Sequence, residues 1–94
     1  MNKHTFHSFY EFADFLSSNN EVFKKSPFKG FIDAANKIRT TSCGVCKKRN
    51  IDIALNVYKN LMEVLTEQDK ENIKNLLEVE TVMFLFNGNP MFKI

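Results

Sequence analysis

The chain has 94 residues, fewer than the usual domain size of about 100–150, which leaves room for one domain and one core. Leu, Ile, Val and Phe supply 29 of the 94 residues, well above the roughly 20% below which chains stay unfolded. The net charge of +2 and a pI near 8.6 fall short of the basic footprint of a dedicated nucleic-acid binder, and the longest apolar run, Val82–Phe86, is far too short for a bilayer span of about 20 residues.

In chain order, Ser8-Phe9-Tyr10-Glu11 reads as a capping box, with the Ser8 hydroxyl taking the Glu11 N–H and the Glu11 carboxylate reaching back to the Ser8 N–H. The helix it starts covers about residues 8–18 and carries Phe9, Phe12, Ala13 and Leu16 on one face. Ser17-Ser18-Asn19-Asn20 ends that pattern. Pro27, whose φ is already helical, marks a second helix over about 27–39 with an apolar stripe of Phe28, Phe31, Ile32, Ala35 and Ile38. Gly30 weakens this helix by about 1 kcal/mol relative to Ala, so a close approach of backbones is expected there.

A third helix over about 44–65 has the longest helical periodicity: Ile51, Ala54, Leu55, Tyr58, Leu61, Met62 and Leu65. Leu55, Tyr58, Leu61, Met62 and Leu65 are expected at the centre of the core. Thr66 and Asp69 can cap a fourth helix over about 67–79, in which Ile73, Leu76 and Leu77 are the apolar positions. The segment 82–94 then changes character: Val82–Phe86 is β-branched and aromatic, and Asn87-Gly88 is a strong hairpin turn signal. The expected fold class is mainly α: a single domain with a bundle of about four helices and a C-terminal β-hairpin.

Cys43-x-x-Cys46 is half of a zinc site, since two thiolates on a tight turn can occupy adjacent vertices of a tetrahedron. His4 and His7 complete a Cys2His2 set, with 35 residues between His7 and Cys43. Zinc is therefore the one candidate cofactor, bound within a chain or between two. The simpler expectation is an unliganded pair of small buried thiols at the entry to the third helix, with His4 and His7 flanking the first. Thiol redox chemistry at the pair lacks the preceding strand that a thioredoxin-like motif requires. There is no Gly-rich phosphate loop, no HExxH and no G-x-S-x-G, so no catalytic residue is assigned. The N-terminus has no apolar stretch of the secretory kind, and two cysteines this close would make a poor staple. A reducing cytoplasmic setting is expected.

Charge is unevenly spread. Residues 24–49 hold eight bases, among them Lys24, Lys25, Lys29, Lys47, Lys48 and Arg49, against the single acid Asp33. Residues 50–80 hold seven acids against three bases. Such segregation either lets one half of the domain complement the other or presents a basic patch to an anionic partner such as nucleic acid.

The Cys pair, the following Lys47-Lys48-Arg49, the long amphipathic helix, the short acidic helix and the Val-x-Phe-x-Phe-Asn-Gly hairpin together resemble small uncharacterised proteins of marine bacteriophages with contractile tails. The similarity covers residues 40–94, and eleven Lys to two Arg suits an AT-rich genome. The resemblance carries no family activity; it implies a host bacterial cytoplasm or a virion as the setting.

With strict pairing about the turn, Phe84 faces Met91 and Val82 faces Lys93, which makes both faces of a two-stranded ribbon apolar. One face and both edges would then be left uncovered. The expected function is that of a non-enzymatic interaction or structural protein, binding a protein partner or itself through Val82, Phe84, Phe86, Met91, Phe92 and Ile94. The alternative is a zinc-stabilised, nucleic-acid-associated protein using Cys43, Cys46 and the basic segment. No membrane partner is expected.

Overall fold

The computed structural model describes residues 2–94. Along the chain run β1 (Lys3–Phe6), α1 (Phe9–Ser18), α2 (Ser26–Thr40), α3 (Gly44–Val64), α4 (Glu67–Leu77), β2 (Thr81–Phe86) and β3 (Asn89–Lys93). Four helices and a hairpin within a three-stranded sheet make a small α+β fold.

Each helix begins where its local chemistry directs. At α1 the Ser8 hydroxyl accepts the Glu11 N–H at 3.3 Å, but the Glu11 carboxylate accepts from the N–H of His7, one residue before the expected Ser8. At α2 the cap is Lys25, with no side-chain bond, and Pro27 lies in the first turn. At α3 the cap is Cys43, whose Sγ accepts the Cys46 N–H. At α4 both bonds of a capping box form between Thr66 and Asp69. That helix ends at Leu77, two residues before the expected boundary, because Glu78 turns into the left-handed region at φ 57°.

The sheet corrects the expected hairpin in two ways. First, β1 pairs parallel with β2, Lys3 to Thr81 through Phe6 to Phe84, so β2 is the central strand and the hairpin has one open edge of its own instead of two. Second, the strict register holds only beside the turn. Asn87 and Gly88 both take positive φ, as a type I′ turn requires, and Phe86 faces Asn89 and Leu85 faces Pro90. Beyond that point Met91 is an extra residue, so Phe84 faces Phe92 and Met83 faces Lys93, in place of Phe84 with Met91 and Val82 with Lys93. Val82 and Ile94 then exchange both backbone bonds, at 3.2 and 2.9 Å. A one-residue bulge moves every later side chain to the other face, and here it turns Phe92 and Ile94 toward the helices.

The core lies between the helices and one face of the sheet. Phe9, Phe12, Ala13 and Leu16 of α1 are buried, as are Phe28, Phe31, Ala35 and Ile38 of α2 and Ala54, Tyr58, Leu61 and Met62 of α3. Leu65 is buried with them, whereas Leu55 is only half-buried. Phe6, Val82 and Phe84 close the sheet side. The rings form one connected cluster: Phe84 lies 4.9 Å from Phe12, Phe6 5.1 Å from Phe12, and Tyr58 5.4 Å from Phe31 in a stacked arrangement. Such pairs add about 0.5–1.5 kcal/mol each beyond their area.

Two ion pairs tie the helices together. Arg39 makes a two-pronged contact with Asp14, at 2.8 and 3.0 Å, donates to the Tyr10 carbonyl, and lies over the Tyr10 ring. This guanidinium holds the Asp14 carboxyl below its ordinary value. Lys25 reaches Asp69 at 3.1 Å and so fastens the start of α2 to the start of α4.

Candidate functional site

The thiol pair is placed by the loop that ends α2 and by the first turn of α3. Thr40 and Thr41 both donate to the Lys37 carbonyl, Thr41 also takes the Asn50 amide at 3.2 Å, and Cys43 then caps α3. Cys43 and Cys46 are close together, as the spacing predicts, but both are exposed, so the expectation of buried thiols is overturned. The Cys46 thiol and N–H, with the Val45 N–H, hold the Cys43 thiol below its ordinary pKa; hydrogen bonding to Cys43 pushes the Cys46 thiol up. Cys43 is thus the readier nucleophile of the two.

The histidines are elsewhere. His4 lies in β1 opposite Val82 with its ring against Phe6 at 4.6 Å, and His7 follows that strand. No group of three or more His, Cys, Asp or Glu side chains is arranged to hold a metal ion among the described residues. The fold therefore does not gather His4, His7, Cys43 and Cys46 into the Cys2His2 set, and Cys43 with Cys46 offers two ligands of the four a structural zinc takes.

The expected hairpin interface is also redrawn. Val82 and Phe84 are fully buried against the helices and cannot serve as contact residues in the folded chain. Phe86, Met91, Phe92 and Ile94 are half-buried and pack on the core, with Phe86 stacked on Phe9 at 5.7 Å and the Lys70 ammonium 5.9 Å above Phe92. On the outer face of β2 only Met83 and Leu85 are large and apolar, and both are half-buried.

Part of the basic segment is consumed internally. Lys24 pairs with Glu21, Lys25 with Asp69 and Arg39 with Asp14, while Lys29, Lys47, Lys48 and Arg49 form no ion pair among the described residues. The last three sit together in the first two turns of α3.

Val45, in the first turn of α3, is the most exposed of the large apolar side chains, and an open apolar stripe lies farther along the same helix. Ile53 and Val64 are 51% and 54% exposed on α3, with half-buried Val57 between them. Beside them α2 and α3 enclose a shallow groove of about 350 Å3, lined by Ser26, Pro27, Gly30, Val57, Asn60 and Val64 among others. Gly30 borders this groove, and nothing lies within 4 Å of where its Cβ would be. The close backbone approach expected at Gly30 is therefore not made within the chain. Sequence reasoning missed this face because its stripe runs beside the core stripe of the same helix, and the stronger pattern masks it.

No protein-family model matches the chain, and neither a curated protein nor a solved structure matches it. No helix among the described residues is long and apolar enough to cross a membrane.

Proposed function

We propose that this protein is a non-enzymatic interaction module whose contact face is the α2–α3 side of the bundle. The observation that carries this reading is the pair of open apolar side chains Ile53 and Val64, with half-buried Val57 between them, beside the groove at Gly30. Large apolar side chains exposed together on one face mark interaction sites, whereas scattered ones carry no such meaning. The hairpin contributes by completing the sheet that supports the helices.

The test places a photo-crosslinking residue, p-benzoylphenylalanine, at Val64 or at the exposed Val22 in the producing cell. Val64 should capture a protein chain, its own or another, and Val22 should not. Absence of any adduct specific to Val64 would refute the reading.

A further inference from the structure

The spacing of residues on the open face of α3 is regular. Cys46, Asn50, Ile53, Val57, Asn60 and Val64 follow one another four, three, four, three and four residues apart. Any helix offers a line of positions so spaced; here it carries three apolar side chains, Ile53, Val57 and Val64, with Cys46, Asn50 and Asn60 completing a short seam of mixed character on which a facing helix could lie. Within the chain the stripe lies beside the residues that pack on the core and is only partly covered.

The charges on α3 run against its own dipole. A helix favours acids in its first turn and bases in its last. Helix α4 obeys, with Glu67 and Asp69 at its start and Lys74 at its end. Helix α3 has no acid in its first turn and no base in its last; instead Lys47, Lys48 and Arg49 lie near its start and Glu63 near its end. Lys47 and Glu63 lie in the terminal turns and oppose the dipole, while Lys48 and Arg49 sit a turn further in, where its effect has fallen off. An identical helix laid antiparallel eases the conflict, because Arg49 of each start then lies near the partner's Glu63 and the negative pole of the facing dipole.

We propose that the occupant of this face is a second copy of the chain, with the two α3 helices antiparallel about a two-fold axis that passes between Ile53 and Val57. This proposal rests on the reading of the α2–α3 side as the contact face and names its partner. In that register Ile53 packs on the partner's Val57, and Val57 on the partner's Ile53. Asn50 faces the partner's Asn60, so the two polar residues of the seam meet each other and not an apolar side chain. Val64 meets the partner's Cys46. Arg49 lies on the same side of the seam as the partner's Glu63, and Asn56 near its own counterpart. Gly30 acquires a function, since its missing Cβ leaves space for the start of the partner's α3 above the groove.

A helical segment of some other protein could fill an apolar groove, but it would meet Asn50 and Asn60 only by coincidence. The self-complementary order, apolar on apolar, Asn on Asn and base on acid, is what a two-fold interface requires of a single surface.

Sedimentation equilibrium of the purified full-length chain tests the proposal. The wild type should be a dimer that weakens as salt rises. Ile53→Lys and Gly30→Leu should each give a folded monomer, and Gly30→Leu keeps a strong helix former at its position, so its helical circular dichroism should not fall. Glu63→Lys should weaken association tenfold or more at low salt, and adding Arg49→Glu should restore it. A monomeric wild type up to about 1 mM overturns the pairing, and so does a dimer indifferent to Ile53→Lys. A dimer that Glu63→Lys leaves intact, or that Arg49→Glu fails to rescue, overturns the antiparallel arrangement. Should the wild type be monomeric while Val64 still captures another protein in the cell, the contact face stands and self-pairing falls; with no capture either, both fall.

Discussion

Tyr58→Phe is the sharpest test of how the core is built. Tyr58 is fully buried among Phe9, Phe12, Phe31 and Phe84, with ring centroids 5.4–6.4 Å away, and its hydroxyl is the one buried side-chain polar atom among the described residues that has no hydrogen-bond partner. Leaving such a group unsatisfied costs about 1–3 kcal/mol. Removing the oxygen abolishes that cost and leaves the ring stacking in place, while the small void it opens takes back part of the gain. The net expectation is a stabilisation of about 1 kcal/mol, which in a domain this size raises Tm by about 4–8 °C. Urea titration should show a higher midpoint with an unchanged slope. A Tm lowered by several degrees would refute the reasoning, since it would mean that the hydroxyl holds a partner, such as an enclosed water, that the substitution strips away.

The same residue predicts an alkaline limit. Burial, with the charge of Glu11 adding to it, raises the Tyr58 pKa above its ordinary value. The folded chain therefore keeps a proton that the unfolded chain releases above a pH of about 10. Stability from this source is intact below that pH and falls as pH rises beyond it, and the fall should vanish in Tyr58→Phe.

Three further outcomes follow from other parts of the molecule. Burial raises the Asp69 carboxyl, but the Thr66 N–H, the Lys25 ammonium and the Thr66 hydroxyl outweigh it and hold the pKa below its ordinary value, so Asp69→Ala should cost about 1–3 kcal/mol in chemical denaturation. Its contribution is present above a pH of about 3.9 and lost as pH falls through the lower folded value, so the wild type should lose more stability than the variant on acidification. Leu61→Ala should cost about 2–5 kcal/mol by the same assay, because Leu61 lies in the packed interior between α2 and α3. Peptide mapping after brief iodoacetamide treatment near neutral pH should find Cys43 alkylated ahead of Cys46; equal rates would remove the asymmetry that their hydrogen bonding implies.

The helices were legible because their signals are local. A cap with three-residue spacing, a proline in the first turn and a stripe of period 3.6 each act within one or two turns of chain, so the chemistry of Ser8, Pro27 and Thr66 sufficed. Strand β1 was not legible. Lys3-His4-Thr5-Phe6 has one large apolar residue, Phe6, and its pairing partner lies beyond all four helices. The bulge at Met91 was hidden for a related reason. The turn at Asn87-Gly88 fixes the first two pairs, but whether Phe92 and Ile94 point inward depends on which face the helices cover, and no residue of the hairpin encodes that. The thiols were placed correctly along the chain and wrongly in depth, since exposure depends on what else packs over the start of α3.

These misreadings bear on one another. With two strands alone, Val82, Phe84, Phe92 and Ile94 would divide between an inner and an outer face, and the hairpin would carry the apolar surface in need of a partner. The third strand and the bulge together direct all four toward the helices, while β1 also occupies one edge of β2. On the proposed reading the contact face is then on α3, where Ile53 and Val64 remain open. In α4 the terminal charges suit a helix standing alone; in α3 they suit one lying beside its reverse. On the proposed pairing, the open Ile53 and Val64 and the match of Arg49 with the partner's Glu63 belong to association, while Val57, packed on the core, and Asn50, bonded to Thr41, also serve the fold.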